Sequence, residues 1–277
     1  MTFKSEQFSL AGRYILVTGA AGLLGTKHAE CIAASGGLPI LTDINEQALA
    51  ALALELEQAY QQAIPYFVLD ITDEAAVKQT SEDILQRFGR LDGLVNNAAN
   101  NPKMEDTQGV NFSRLENFPM QVWEQDIAVG LTGAYLCAKH FGQLIANTPG
   151  GGAIVNICSD LAVIAPDQRL YHQEGVEEHL QPVKPVTYSV VKHGLLGLSK
   201  YLATYWPQKQ VRSNALCPGG VENGQPEAFL EQVHQRIPMH RMARADEYQG
   251  TLIWMLSDAS SYLNGAVINV DGGRTVW

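Results

Sequence analysis

From residue 14 to residue 157 the chain repeats one pattern: a short run of apolar and β-branched residues, then a longer stretch with helical periodicity. The runs are YILV (14–17), LPILT (38–42), YFVL (66–69), GLVNN (93–97) and AIVNI (153–157). Neighbouring parallel strands need a crossover of about a dozen residues or more, and the intervening stretches supply it. Between the second and third runs Leu49, Leu52 and Leu56 recur at i, i+3 and i+7, and before the fourth Val77, Ile84 and Phe88 share a helical face. One apolar stripe per crossover predicts helices packed on a sheet. The alternation continues with a helical stretch over 187–206, a strand near 211–216, helices near 226–236 and 246–257, and a closing GAVINV. Pro149–Gly152 marks a turn, and no repeat, low-complexity run or linker interrupts the series. Residues 1–277 are therefore expected to form a single α/β domain, a doubly wound parallel sheet flanked by helices.

Composition excludes several alternatives. Hydrophobic residues make up 46% of the chain and charged residues 17%, which suits a packed interior. Apolar runs such as Tyr14–Val17 and Ala153–Ile157 fall far short of the roughly 20 residues that cross a bilayer. The opening MTFKSEQFSLAGR has no apolar leader, so a cytoplasmic protein with no membrane partner is expected. Cys31, Cys137, Cys158 and Cys217 have neither metal-ligand nor redox-pair spacing; they read as reduced core thiols, and no metal is expected. The net charge of −10, without a basic cluster, disfavours nucleic acid. A small-molecule substrate is the expected partner.

The first run leads into TGAAGLLG at 18–25, with a helix expected from about Thr26. Gly19, Gly22 and Gly25 permit a tight turn and close backbone approach, while free N–H groups and the helix dipole supply partial positive charge. Such a turn suits a dinucleotide pyrophosphate, although a glycine-rich turn without a ligand has the same letters. Leu24, inside the turn, is assigned to the cofactor site with the glycines. Asp43 ends the second run 18 positions beyond Gly25. A carboxylate there accepts hydrogen bonds from ribose hydroxyls and repels a 2′-phosphate, and the following Ile44, Asn45 and Glu46 bring no cation. NAD is expected rather than NADP. Asp43 or Asn45 can equally cap the next helix, and both roles can coexist.

Further motifs follow in order: Asp70 in LDITD, NNAA at 96–99, AIVNICS ending in Ser159, YSVVK with Tyr188 and Lys192, NALCPGGVEN, and INVDGG. Together with the glycine turn they resemble the short-chain dehydrogenase/reductase family along nearly the whole chain. The resemblance implies a Rossmann-like NAD(P)-binding domain whose cofactor contacts include Asp70, Ile71, Asn97, Ala98, Tyr188, Lys192, Pro218, Gly219 and Val221. It implies Ser159, Tyr188 and Lys192 as catalytic residues. Tyr135 and Lys139 also satisfy YxxxK, but they precede the fifth run and sit in the apolar LTGAYLCAKH, where a core or subunit contact is expected.

The chemistry of these side chains is consistent with that implication. Hydride transfer to a carbonyl leaves an alkoxide that needs a proton, and the reverse reaction must remove one. A phenol with an ordinary pKa near ~10 serves if a cation favours its ionised form. On a helix Tyr188 and Lys192 stand at i and i+4 on one face. The Ser159 hydroxyl can both donate and accept, as a group changing between carbonyl and alkoxide requires, or it can cap a turn at the strand end.

Three departures from the family pattern stand out. VGLTG places Gly130 where many members have an asparagine that helps hold a proton-relay water; the backbone carbonyl remains as an acceptor. The glycine spacing TGxxGxxG is typical of the family's extended branch, which includes nucleotide-sugar epimerases and dehydratases, yet only 85 residues follow Lys192 and the tail contains VDGG. Asn223 stands where a threonine often meets the nicotinamide carboxamide, a contact asparagine can also make. In addition, 29 positions separate Ser159 from Tyr188, about twice the spacing the resemblance implies, so a polar loop is inserted at about 160–187. Its Arg169, His172, Glu174, Glu177, Glu178, His179 and Lys184 suggest a polar substrate, or else an exposed loop or subunit contact. His172 and His179 match no standard metal spacing. The loop with VKPVTYSV is similar to reductases of surface-glycan or flagellin modification, which implies a sugar-derived substrate. Trp277 and the apolar helices expected around 119–147 and 187–206 resemble the family's oligomer surfaces, implying a homotetramer or dimer. The expectation is thus an NAD-dependent oxidoreductase acting on a carbonyl or alcohol, in carbohydrate metabolism. An NAD-dependent nucleotide-sugar epimerase or dehydratase and a catalytically silent NAD-binding regulator are the alternatives.

Overall fold

The computed structural model describes residues 5–100 and 110–277. Its seven strands are β1 (Tyr14–Thr18), β2 (Leu38–Asp43), β3 (Tyr66–Val68), β4 (Gly93–Asn96), β5 (Gly152–Ile157), β6 (Val211–Pro218) and β7 (Val267–Val270). They form one sheet in the order β3-β2-β1-β4-β5-β6-β7, and every neighbouring pair is parallel. The helices are α1 (Leu23–Ala34), α2 (Glu46–Tyr60), α3 (Glu74–Phe88), α4 (Met120–Ile127), α5 (Ala134–Asn147), α6 (Val186–Tyr205), α7 (Glu227–His234) and α8 (Gln249–Leu256). The chain winds outward from β1 to β3, crosses to β4, and winds outward again to β7. The switch between β1 and β4 leaves a crevice at the carboxyl ends of the strands, where this fold class binds ligands.

The strand runs are apolar on both faces because helices cover both. Along β1, Ile15 and Val17 enter a core layer with Leu49, Leu52 and Leu56 of α2. Leu16 enters the opposite layer with Val77 and Ile84 of α3 and Phe141 of α5. The same alternation sends Val95 to the first layer and Leu94 to the second.

Two local features stand out. α1 begins at Leu23, three residues before Thr26, because Gly22 already stands at the N-cap with extended backbone. Helices do cover the 119–147 stretch, but with an irregularity the sequence does not signal: a π-helical turn, Ala128–Gly133, separates α4 from α5. Gly133 packs closely there, where a Cβ would stand 2.6 Å from Ile71 Cδ1. Among the described residues no helix is long and apolar enough to cross a membrane.

Candidate active site

At the carboxyl end of β1 the chain turns sharply. Gly19 adopts a positive φ of 61°, and a Cβ there would lie 2.7 Å from Ala98 Cα. Glycine therefore lets the β1 turn abut the end of β4. Asn97 braces this contact: its Nδ2 donates to the carbonyls of Thr18 and Gly19, each at 3.0 Å. The Thr18 hydroxyl in turn accepts from the backbone N–H groups of Asn97 and Ala98. Thr18 went unnoticed in the sequence, where only the glycines signal a turn. Gly22 caps α1 without any side-chain hydrogen bond, so the first N–H groups of α1 have no capping side chain.

This turn opens into a cavity of about 840 Å³. Gly19, Gly22, Leu24 and Asp43 line one end, and Asp70, Ile71, Asn97 and Ala98 line it further along. Gly25 is an exception among the expected cofactor residues: it is not on the cavity wall. A Cβ on Gly25 would lie 2.1 Å from the Gly19 carbonyl oxygen, so its place is the packing of α1 on the turn. Asp43 is half-buried; Oδ2 accepts from Ala21 N and Oδ1 from Asn45 N. Asn45, not Asp43, caps α2, through a hydrogen bond from Ala48 N. Asp70 holds Thr72 through its backbone and hydroxyl.

At the other end stand Ser159, Tyr188 and Lys192. Ser159 follows β5, is buried, and caps the short turn Asp160–Ala162 by accepting from Leu161 N. Its Oγ donates to Asp160 Oδ1 at 2.7 Å. Asp160 is paired through Oδ2 with Arg274 Nη1 at 2.9 Å. Lys192 is buried and donates from Nζ to the Ile157 carbonyl at 2.9 Å; burial pushes its ammonium below the usual lysine range. Burial also pushes the Tyr188 phenol up, against the pull of the nearby Ser159 hydroxyl and of the Arg274 charge. Lys192 Nζ lies 5.9 Å from the Tyr188 ring centroid, whereas Lys184 Nζ lies 3.8 Å from it. The cations around the phenol thus include Lys184, which the sequence offers only as one charge of the polar loop, and Arg274. Arg274 has no motif signal; its partner Asp160 is 114 positions away.

Pro218, Gly219 and Val221 complete the wall. Tyr248, fully buried, pins this segment by donating its hydroxyl to the Gly219 carbonyl at 2.9 Å, a contact the sequence did not disclose. Asn223 departs from expectation: it is exposed and off the wall, and Gln225 lines the cavity instead while donating to the Val221 carbonyl. Of the loop's charged residues, Asp160 and Lys184 line the cavity, beside Leu170 and Tyr171, whereas Arg169, His172, Glu174, Glu177, Glu178 and His179 do not. The second YxxxK pair lies elsewhere: Tyr135 is half-exposed, and Lys139 pairs with Glu74 of α3. Among the described residues no group of three or more His, Cys, Asp or Glu is placed to hold a metal ion.

A parallel sheet with this strand order, whose switch point opens on a glycine turn, belongs to the dinucleotide-binding class of α/β proteins. Residues 13–171 match the short chain dehydrogenase family and residues 175–275 the family described as enoyl-(acyl carrier protein) reductase. The chain belongs to the short-chain dehydrogenase/reductase family of oxidoreductases, which bind nicotinamide cofactors. It is 32% identical to the D-threitol dehydrogenase of Mycolicibacterium smegmatis, over 97% of this chain and 95% of that one. It is 29% identical to the post-translational flagellin modification protein A of Campylobacter coli, over 95% and 98%. A gluconate 5-dehydrogenase from Burkholderia cenocepacia, solved with NADP and tartrate, superposes with a TM-score of 0.84 at 27% identity, covering 98% of each chain.

Proposed function

We propose that this protein moves a hydride between NAD(H) and an alcohol or carbonyl carbon of a polar, sugar-related small molecule, the whole chain acting as one cofactor-binding unit. The observation that carries the reading is that Ser159, Tyr188 and Lys192, beside β5 and on α6, share one cavity with the glycine turn and Asp43 at the ends of β1 and β2. The residues fit a dinucleotide: a Cβ on Gly22 would meet only the Gly19 carbonyl oxygen, at 3.3 Å, so the uncapped start of α1 is open to a pyrophosphate. When bound, the nicotinamide supplies or accepts the hydride. Gly19, Gly22 and Leu24 would hold the pyrophosphate end, Asp43 the adenosine ribose, and Asn97, Ala98, Pro218, Gly219 and Val221 the remainder.

Tyr188 Oη gives a proton to the alkoxide or removes it from the alcohol, and Ser159 steadies the same oxygen. Lys192, fixed by the Ile157 carbonyl, adds positive charge that favours the phenolate. NAD is favoured over NADP because the Asp43 carboxylate repels a 2′-phosphate and Ile44 beside it brings no cation. The polyol substrates named for the threitol and gluconate enzymes support a sugar-related substrate. Four buried, free cysteines suit a cytoplasmic setting, and the exposed Tyr201 and Tyr205 of α6 suit a homo-oligomer formed through that helix.

The test follows absorbance at 340 nm with NAD and NADP against polyols, sugar derivatives and ketones. Net NADH formation with NAD preferred is expected, and Tyr188→Phe should lower kcat by at least a hundredfold. Full turnover in that variant would remove Tyr188 from the chemistry. A reaction that consumes substrate with no net NADH change would point to an epimerase or dehydratase instead.

A further inference from the structure

Lys184 stands four positions before Tyr188, on the segment entering α6. Its Nζ lies against the face of the Tyr188 ring. Among the described residues the ammonium has no hydrogen-bond or ion-pair partner; the one hydrogen bond of this residue is main-chain, Lys184 N donating to Gln168 Oε1 at 2.8 Å. Burial lowers its pKa; Asp160 pulls it up, and Lys192 and Arg274 push it down further. Three cations therefore share this end of the cavity. Among the described residues the acid beside them is Asp160, whose carboxylate is already engaged by Ser159 Oγ, Leu161 N and Arg274 Nη1. Asp43 and Asp70 belong to the cofactor end. The rest of the wall here is largely apolar, with Leu170, Tyr171, Phe229 and Val233.

A lysine kept half-buried with no hydrogen-bond or ion-pair partner among the described residues carries a desolvation cost. The ring contact offsets part of it, but a cation in a cavity that faces a substrate is poised for an anion. We propose that this end of the cavity binds an oxyanion carried by the substrate, a carboxylate or a phosphate ester on a polyhydroxylated chain, held by Lys184 Nζ with Arg274 beside it. The proposal rests on the reading above that substrate lies next to Tyr188. An anchor one side chain from the phenol selects which carbon of a polyol presents its hydroxyl to Tyr188, a choice that a row of equivalent hydroxyls does not make by itself.

The experiment is titration calorimetry on the NADH-loaded protein with gluconate, sorbitol and sorbitol 6-phosphate as probes. Gluconate or the phosphate ester should bind at least tenfold more tightly than sorbitol, with the gap narrowing as salt is raised. Lys184→Met should bring the gap below threefold, and Lys184→Arg should keep most of it. Arg274→Gln, a second variant, should narrow the gap partially. The tighter of the two anions identifies the oxyanion as carboxylate or phosphate. Equal affinities in the unaltered protein, a gap that survives in Lys184→Met, or no binding of any probe would overturn the proposal. Because binding is measured, failure of hydride transfer with every probe would sink the functional reading and leave the anion site standing.

Discussion

At position 130 a missing side chain ties two elements together. A Cβ on Gly130, in the π-helical turn, would come within 2.5 Å of Val191 Cγ1. Val191 lies on α6 between Tyr188 and Lys192, so the glycine and α6 are packed as a pair. Gly130 also lines a small cavity of about 40 Å³ together with Lys192, Asp126 and Thr187. A cavity of that size and polarity can hold a water. Gly130→Asn is expected to lower stability by about 1–3 kcal/mol through overpacking and to reduce kcat by shifting the turn that carries Lys192. Val191→Ala in the same chain should restore most of both, giving a favourable coupling of about 1 kcal/mol or more in thermal unfolding. Additive effects would show that the two residues do not share the space. The sequence disclosed the unusual glycine but not its partner, because Gly130 and Val191 are 61 positions apart and neither forms a motif with the other. The same holds for Asp160 and Arg274, whereas Tyr188 and Lys192 were legible because a helix brings i and i+4 together locally.

Elements were legible where periodicity is strong. The runs behind β1, β2, β4 and β5 form strands in place, since a strand covered on both faces reads as a near-continuous apolar run, while β3, with Tyr66 and Val68 exposed, and β7 lie at the sheet edges. The loop between Ser159 and α6 is polar in composition, and its charged residues mostly face outward, but its anchoring is apolar. Leu170 is buried against Val233, Ile237 and Met242, next to α7. Asp167 adds a link by pairing with Arg169 and with Arg236, whose guanidinium lies 2.7 Å away. A lone leucine in a polar segment carries no periodic signal, so composition hid the element's inner face. Leu170→Ala should free the loop from α7, locally exposing it to proteolysis and raising KM for the substrate several-fold. Cofactor affinity should change little, because on the proposed function Leu170 lines the part of the cavity given to the substrate rather than to the cofactor. The cost of truncating such a leucine is about 2–5 kcal/mol where it is fully felt. Limited proteolysis and separate titrations of cofactor and substrate check this, and an equal loss of both affinities would show that the loop does not act on one end alone.

For the molecule as a whole, the helix that begins at the glycine turn also carries an acid-sensitive group. His28 on α1 is 1% exposed, and neither ring nitrogen has a hydrogen-bond partner among the described residues. Burial lowers its pKa from 6.5 to about 4, so the folded protein keeps the ring neutral where the unfolded chain takes up a proton. Stability is therefore fully present above about pH 6.5 and is lost as pH falls toward 4, with nothing further lost below that. At about 1.4 kcal/mol per unit, the whole window is worth about 3 kcal/mol, of which about 2 is lost between pH 7 and pH 5. Carboxylates do not mimic this. Asp167, held low by Arg169 and Arg236, and Glu247, held low by Arg241, give up their contributions only below their ordinary values of 3.8 and 4.5. Urea unfolding at pH 7 and pH 5 should therefore show a fall that His28→Leu largely removes, and because an apolar side chain leaves no buried nitrogen unpaired, that variant should be no less stable at pH 5. Parallel pH slopes in the two proteins would place the acid sensitivity elsewhere.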